Sequence, residues 1–224
     1  MELSYWQSRW NKGNIGFHIP GGYPALSRHW SSLSIPESAR VLVPLCGKSE
    51  DLDFLSRHAS IVTGVEISET AVRSFFEERE MIPEMSRSHG FTIFRHGNIR
   101  LWCGDFFRFP EEKQSGQFDL IYDKAALIAL PRSARTQYAR KILALKGKNS
   151  RTSVLLHHFE YNQEEMNGPP FSVSPGEIDS LFGPLFKMEI LEEEQIDPLK
   201  YEKFRRRGLM SPMKERFLFL HPKC

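Results

Sequence analysis

The sequence predicts an α/β fold, doubly wound around a mostly parallel sheet with an antiparallel C-terminal edge. Short apolar runs alternate with segments of helical periodicity, which is typical of parallel strands connected by helices. These runs lie at residues 41–45, 61–67, 118–122 and 153–159. Two further apolar runs, at 186–191 and 216–220, have no clear helix between them, which favours antiparallel pairing at one edge of the sheet.

Size and composition indicate one globular domain that spans residues 1–224. The chain has 224 residues, of which 40% are hydrophobic and 26% are charged, so it contains enough apolar sequence for a substantial core. Lys plus Arg is 30 and Asp plus Glu is 28, which gives a net charge of +2 and disfavours a nucleic-acid partner. No apolar run is long enough to span a bilayer, so we expect no membrane partner.

The cysteines and the N-terminal residues both favour a cytoplasmic protein. Cys46, Cys103 and Cys224 have no regular spacing, which indicates reduced thiols rather than a disulfide framework. The first fourteen residues lack the apolar core of a secretion signal. We expect a monomer, which is the default for such a chain.

Two helices are predicted before the first strand. Residues 4–12 form the first, and Trp6 and Trp10 share one of its faces because they are four residues apart. The second begins at Pro24, which suits the first turn of a helix, and runs to about residue 33.

The segment that follows is the most informative part of the chain. A predicted strand at 41–45 ends in a turn at Gly47, and residues 49–58 have a helical apolar stripe. The next predicted strand, at 61–67, carries Glu66 near its C-terminal end. A carboxylate about twenty residues past such a turn is typically placed to bind the hydroxyl groups of a ribose.

Local signals also define the elements of the middle of the chain. Ser68 is a predicted N-cap for a helix over 69–80. Residues 91–103 contain two apolar runs around a Gly-Asn pair, which predicts a hairpin. A helix over 131–145 is predicted to end at Gly147.

Toward the C-terminus, the pattern Ser174-Pro175 indicates another helix start, and Gly183 is the predicted end of that helix. Residues 197–212 have weak periodicity and predict a loop with some helix.

The turn after the first strand restricts the class of nucleotide-like ligand. It lacks the G-x-G-x-x-G pattern of a dinucleotide site, and Leu42 stands where a triphosphate-binding loop would need glycine. A ligand with adenosine but no phosphate remains, and S-adenosylmethionine meets that description. Its ribose would lie at Glu66, its adenine after the third strand, and its amino-acid end at the backbone near Leu45 and Gly47.

Seven motifs, in order from about residue 5 to residue 220, resemble the thiopurine S-methyltransferase family, and bacterial members in particular. They are W-Q-S-R-W-x-x-G-x-I-G-F-H at 6–18, V-P-L-C-G-K-S at 43–49, G-V-E-I-S at 64–68, C-G-D-F-F at 103–107, I-Y-D-K-A-A-L at 121–127, G-P-P-F-S-V at 168–173 and L-F-G at 181–183. The resemblance implies a Rossmann-like, class I methyltransferase. It implies S-adenosyl-L-methionine as cofactor, S-adenosyl-L-homocysteine as product, and the sulfur of a small aromatic or heterocyclic thiol as methyl acceptor.

The turn and the resemblance together give a set of expected site residues. The cofactor set is Trp6, Trp10, Leu45, Gly47, Glu66, Asp105, Phe106 and Lys124. Residues 1–33 are expected to form a helical cover over the cofactor site, and Asp105 and Phe106 to lie beside the adenine. Phe17 and His18 are the expected substrate-binding residues.

Lys124 is the expected catalytic residue. Members of the family usually carry arginine here, and lysine keeps the charge but lacks the planar, bidentate guanidinium. A cation would favour the thiolate form of the acceptor. His18 is the second candidate for that role. We expect no metal site, because His157 and His158 alternate across a strand and cannot both face one ion.

Other interpretations remain open at this point. The same fold serves for methylation of selenite or tellurite, or of halide or thiocyanate. A non-catalytic S-adenosylmethionine-binding protein is the second alternative, and a nucleic-acid methyltransferase the third. Residues 168–171 are either a plain rigid loop or a wall of the acceptor pocket, and the basic run 205–207 is either a solvated surface or a contact for an anionic substrate.

Overall fold

A mixed β-sheet forms the centre of the computed structural model, which describes residues 3–114, 117–147, 151–198 and 201–223. Within these residues the sheet has nine strands. In chain order they are β1 (Arg40–Pro44), β2 (Ile61–Glu66), β3 (Glu84–Ser88), β4 (Phe91–His96), β5 (Ile99–Cys103), β6 (Leu120–Lys124), β7 (Ser153–Glu160), β8 (Phe186–Ile196) and β9 (Met213–Pro222). Across the sheet the order is β3-β4-β5-β2-β1-β6-β7-β9-β8.

The centre of the sheet is parallel and both edges are antiparallel. Strands β5, β2, β1, β6 and β7 pair in parallel, whereas β3-β4-β5 and β7-β9-β8 pair antiparallel. The predicted fold class and its antiparallel C-terminal edge are confirmed. The chain order of the strands reverses at β1, which has β2 on one side and β6 on the other. Folds of this kind bind ligands at such a switch point, outside the carboxyl ends of the strands.

Helices connect the strands, and most lie at the predicted places, whereas the short ones over Glu111–Gln114 and Ala126–Ala129 were not predicted. They are α1 (Leu3–Asn11), α2 (Pro24–His29), α3 (Asp51–His58), α4 (Glu69–Glu77), α5 (Glu111–Gln114), α6 (Ala126–Ala129), α7 (Arg132–Lys146), α8 (Pro175–Phe182) and α9 (Glu202–Arg205), with 3-10 turns at Trp30–Leu33 and Phe106–Arg108. The predicted N-caps are present, because Ser68 accepts from the Ala71 N–H at 3.3 Å and Ser174 from the Glu177 N–H at 3.2 Å. No described helix is both long and apolar enough to cross a bilayer.

Both faces of the sheet are covered, as a doubly wound fold requires. On one face, Tyr138 and Ile142 of α7 and Ile178 of α8 belong to a single buried cluster. On the other face, Leu52 of α3 and Phe75 of α4 belong to a second buried cluster. The sheet is therefore buried between two apolar layers, and its polar ligand site can lie only at an end of the strands.

Compared with the sequence prediction, the structure has one additional strand, and two strands are longer. Strand β3, with sequence Glu-Met-Ser-Arg-Ser, gives no apolar alternation because it is a largely exposed edge strand. Strand β8 extends beyond 186–191 because an edge strand can carry exposed glutamates, and β9, which lies between β7 and β8, extends beyond 216–220 along with it. The loop with some helix over 197–212 is confirmed by α9, although residues 199–200 lie outside the described residues. Cys224 and the first two residues of the expected cover also lie outside them.

Candidate active site

A cavity of about 380 Å³ opens at the carboxyl ends of β1, β2, β6 and β7, at the switch point of the sheet. Its volume lies in the usual range for a small-molecule site. Helix α1 and residues 16–19 contribute one wall, and Lys203, Phe204 and Arg207 contribute to another. The cavity therefore has two ends, one at the turn after β1 and the other at the ends of β6 and β7.

Glu66 is the centre of the first end. It is the last residue of β2, it is only 5% exposed, and it lines the cavity. Its Oε2 accepts from the Gly47 N–H at 2.8 Å, and its Oε1 accepts from the Ser68 N–H at 2.8 Å. Burial raises the pKa of this carboxyl, and the backbone N–H donors oppose that rise. Each oxygen keeps further acceptor capacity, so the carboxylate can also receive two hydroxyl groups from the cavity.

The turn between β1 and α3 allows an unusually close approach to its backbone. Leu45 has φ +49° and Gly47 has φ +54°, which is the left-handed region. A Cβ atom at Gly47 would lie 2.9 Å from Trp10 Cζ2, closer than carbon atoms normally approach. Glycine is therefore required here both by the backbone angle and by the indole that covers the turn.

Aromatic rings from the N-terminal segment form the cover of this end. Trp6 and Phe17 meet edge to face with centroids 5.3 Å apart, and Trp10 and Phe17 do so at 5.4 Å. All three side chains line the cavity, and Phe17 is 37% exposed. Aromatic faces suit a sulfonium cation, for which a well-placed ring contributes about 0.5–2 kcal/mol.

Asp105 and Phe106 lie apart from the cavity. Asp105 Oδ1 accepts from the Phe107 N–H at 3.0 Å and so caps the 3-10 turn. Phe106 is buried with its ring 5.5 Å from that of Tyr138. Neither residue lines the cavity within the described part of the chain, so their contact with adenine stays a prediction.

Lys124, the last residue of β6, lies at the second end of the cavity. Burial lowers the pKa of its ammonium group, while Asp51 and Glu215 oppose the shift. Among the described residues no carboxylate approaches its Nζ within 4.0 Å. A partly desolvated cation without a direct carboxylate partner is well suited to stabilise an anion in the cavity.

His18 also lines the cavity but is a weaker candidate for a cation. Its Nε2 lies 3.9 Å from Glu50 Oε1. Burial and the nearby Lys48 lower its pKa, so the imidazole is neutral at neutral pH. His18 can therefore form a hydrogen bond with a ligand, whereas Lys124 is the better source of positive charge.

Cys46 and Cys103 are poor nucleophiles in this structure. Burial raises the pKa of the Cys46 thiol and raises that of Cys103 to about 11. Both therefore remain protonated and act as small apolar side chains rather than as thiolate nucleophiles.

Several residues of the second end were missed or only partly anticipated from the sequence. The cavity is also lined there by His157, Phe159, Pro169, Pro170, Lys203, Phe204, Arg207 and Glu215. Pro169 and Pro170 come from the rigid loop that was one option for a pocket wall. Arg207 belongs to the basic run, and its guanidinium donates to the Asn167 carbonyl. The loop at 168–171 and the basic run at 205–207 were named as options from the sequence, whereas no local signal pointed to His157, Phe159 or Glu215 as site residues.

The solved structures that this chain resembles show its fold. A methyltransferase from Burkholderia thailandensis, with 1,6-didemethyltoxoflavin and S-adenosylhomocysteine bound, superposes with a TM-score of 0.65 at 16% identity, covering 99% of this chain and 87% of that one. A SAM-dependent methyltransferase from Anabaena variabilis gives 0.63 at 16% identity, covering 98% and 94%. At this identity they show the fold, which is that of class I S-adenosylmethionine-dependent methyltransferases.

The sequence comparisons then show the family. The profile described as Thiopurine S-methyltransferase (TPMT) matches residues 1–221. A thiopurine S-methyltransferase from Pseudomonas fluorescens SBW25 is 44% identical over 196 residues, which is 88% of each chain. One from Azotobacter vinelandii is 41% identical over 209 residues, covering 93% of this chain and 94% of that one. This chain belongs to the thiopurine S-methyltransferase family, and the predicted enzyme class and cofactor are confirmed.

Proposed function

We propose that this protein transfers a methyl group from S-adenosylmethionine to the sulfur of a small aromatic or heterocyclic thiol. The observation that carries the proposal is one cavity that joins the Glu66 turn to the desolvated Lys124. Membership of the thiopurine S-methyltransferase family favours sulfur over selenium or tellurium oxyanions, halide and thiocyanate as acceptor.

The cofactor end would be formed by the turn and its aromatic cover. The buried carboxylate of Glu66 and the absence of a phosphate-binding glycine pattern both fit an adenosine ligand without phosphate. Trp6, Trp10 and Leu45 complete this end of the proposed site. Asp105 and Phe106 stay in the proposal as neighbours of the adenine, on the basis of the family resemblance alone.

The acceptor end would bind the thiol and favour its ionised form. When bound, S-adenosylmethionine supplies an activated methyl group, so the protein needs mainly to align the acceptor with it. Correct alignment contributes about 7–11 kcal/mol in favourable cases. Phe17 and His18 would contact the acceptor, and the ammonium of Lys124 would stabilise its sulfur anion. A displacement of this kind needs no metal ion.

A screen of methyl acceptors tests the proposal directly. Purified protein is incubated with S-adenosylmethionine and, separately, with aromatic thiols, heterocyclic thiols, selenite, tellurite, thiocyanate and halide. S-adenosylhomocysteine and the methylated product are both quantified. Product from the thiols supports the proposal, and product from the other acceptors only would replace it. Tight cofactor binding without product from any acceptor would indicate a non-catalytic binding protein.

The setting of the reaction is part of the same proposal. Residues 1–224 would act as one methyltransferase domain, with 1–33 as a cover over the cofactor site. We further propose a cytoplasmic monomer without a nucleic-acid partner, as the net charge of +2 favours. Light scattering across a range of protein concentrations would detect a dimer.

A further inference from the structure

We propose that His157 accepts the proton of the thiol through its Nδ1, and that Glu215 is the positioning residue that holds the imidazole for this task. The proposal rests on the proposed thiol methylation and names a residue for a step that the resemblance left without one.

The hydrogen bonds of His157 define which nitrogen is available. Its Nε2 lies 2.6 Å from Glu215 Oε1, and a carboxylate at that distance accepts a hydrogen bond, so Nε2 carries the proton. The Nδ1 atom then has a free lone pair, and it has no hydrogen-bond partner among the described residues. His157 is 2% exposed and lines the cavity. A buried acceptor without a partner is unfavourable, and a thiol bound against it would remove that cost.

The position of His157 in the sheet brings it next to Lys124. The two residues are register partners on the parallel strands β6 and β7, so their side chains lie on the same face. The imidazole is held between the ring of Tyr23, with centroids 4.7 Å apart, and that of Phe159, at 4.9 Å. His157 and Lys124 thus lie side by side on one face of the sheet, and both line the same end of the cavity.

The charges that face the imidazole keep it neutral and ready to take a proton. Burial lowers the pKa of His157, Glu215 of β9 opposes that shift, and Lys124 of β6 adds to it. Asp51 at the start of α3 also acts against the shift, and Tyr23 faces the same ring. The neutral form is therefore present at neutral pH, and Glu215 would stabilise the charged form once it appears.

The step balances without a further reagent. The S–H bond of the acceptor breaks, and its proton passes to Nδ1, which leaves an imidazolium paired with Glu215. The electron pair of the acceptor sulfur forms the new bond to the methyl carbon. The bond from that carbon to the sulfonium sulfur breaks, its electrons remain on that sulfur, and S-adenosylhomocysteine leaves. The imidazolium then releases its proton to water.

A pH profile of one variant tests the step. In His157→Gln the amide can still donate to Glu215, but it cannot take a proton. With an aromatic thiol assayed below its own pKa, we expect kcat/KM to fall by about 100-fold or more. Above that pKa the thiol is already ionised, and the variant should recover to within about threefold of the wild type. An equal loss at all pH values would overturn the proposal.

A matched control comes from the neighbouring residue. His158 is also buried on β7, but its side chain lies on the opposite face, where Nδ1 is 2.9 Å from the Val173 carbonyl oxygen. His158→Gln should change stability without any pH-dependent defect in kcat/KM. If His158→Gln has the same pH-dependent defect as His157→Gln, the effect is structural and the proposal fails.

Nitrogen-15 NMR of the histidine side chains gives a readout that does not depend on turnover. In the wild type with S-adenosylhomocysteine, the resonance lost in His157→Gln should show a proton on Nε2 and none on Nδ1. Glu215→Gln should shift the population of that tautomer, because the carboxylate that selects it is gone. A protonated Nδ1 in the wild type at neutral pH would overturn the proposal.

The two levels of the proposal fail in different ways. If the wild type methylates no thiol, the proposed function fails whatever the state of His157. If the wild type methylates thiols while His157→Gln keeps a normal pH profile, the function stands and the role of His157 does not.

Discussion

The two ends of the cavity are built in different ways. At the cofactor end, one carboxylate is held by backbone N–H groups of Gly47 and Ser68, at 2.8 Å each. At the acceptor end, Lys124, His157 and Glu215 meet as side chains from three different strands. The first end is fixed by main-chain geometry, and the second by the packing of long or titratable side chains.

Because of this difference, the two ends of the cavity should respond differently to amino-acid substitutions. Backbone donors cannot be exchanged by substitution, so the cofactor end should be much the same in any chain that keeps the turn. The acceptor end can change its charge and shape one side chain at a time, as the lysine at 124 in place of arginine illustrates. We therefore expect substitutions at the two ends to separate into effects on cofactor binding and effects on turnover.

The largest effect should come from Lys124→Ala. A cation in a site that excludes water stabilises the negative charge of the reacting sulfur. Its loss should lower turnover by about 100- to 1,000-fold. Cofactor affinity should change far less, since the cofactor end is intact. Steady-state rates and calorimetric titration with S-adenosylhomocysteine measure the two separately. Lys124→Arg is the matched control and should retain most of the activity; unchanged rates in Lys124→Ala would remove the residue from the mechanism.

The next effect concerns His158, on the face of β7 opposite to His157, and it should appear in how the free energy of unfolding depends on pH. Burial lowers the pKa of His158 from 6.5 to about 4, so the folded protein keeps it neutral where the unfolded chain takes up a proton. As pH falls from 6.5 to 4, His158 should therefore cost the folded state up to about 3 kcal/mol. The measurement is the free energy of unfolding of the wild type minus that of His158→Gln at each pH.

Taking this difference cancels groups common to both proteins. Asp123, which both proteins contain, is the group for which this matters. Burial raises its pKa to about 6, so its contribution stabilises the folded state as the pH falls, which is opposite to the effect of His158. A difference that stays constant from pH 6.5 to 4 would contradict the assignment of a buried, neutral His158.

Glu66→Gln should act on the cofactor end alone. The amide loses one acceptor oxygen that receives a backbone N–H or a ribose hydroxyl, and a hydrogen bond to a charged group contributes about 1.5–3 kcal/mol. Affinity for S-adenosylhomocysteine should fall by roughly 10- to 150-fold. Calorimetry measures it, with Glu69→Gln as an exposed control that should bind normally. Equal affinities for Glu66→Gln and the wild type would remove Glu66 from the cofactor site.

The smallest effect should come from Gly47→Ala. An L-residue at φ +54° costs about 1–2 kcal/mol, and its Cβ would also press on Trp10. Gly13→Ala is the matched control, because Gly13 has φ +66° with open space around it. Thermal unfolding of both variants separates the backbone cost from the contact with Trp10. If Gly47→Ala is no less stable than Gly13→Ala, the indole does not restrict the turn.

Sequence reasoning succeeded where the relevant residues are close in the chain. Glu66, Gly47 and the N-cap Ser68 lie within one strand-turn-helix-strand unit, so their spacing alone places them together. It failed for β3, whose exposed polar residues carry no periodic signal. It also left Asp105 and Phe106 resting on resemblance, and the structure puts both outside the cavity wall of the described residues.

His157 and His158 show the limit most clearly. Alternation along a strand requires that the two side chains lie on opposite faces of the sheet, and this placement follows from the sequence. Which of them meets the ligand depends on what covers each face, and here Lys124 and Glu215 lie on the side of His157. No local pattern contains that information.

The sequence by itself determined the fold class, the family and the strand-turn-helix-strand unit that carries Glu66, because these depend on short-range patterns and on the order of motifs along the chain. The sequence also named Lys124, but only the tertiary structure decided that His157 and Glu215 lie with it at the second end of the cavity. Sheet order and the packing of the C-terminal segment bring together residues 124, 157, 203, 204, 207 and 215, and these contacts between distant parts of the chain exist only after folding.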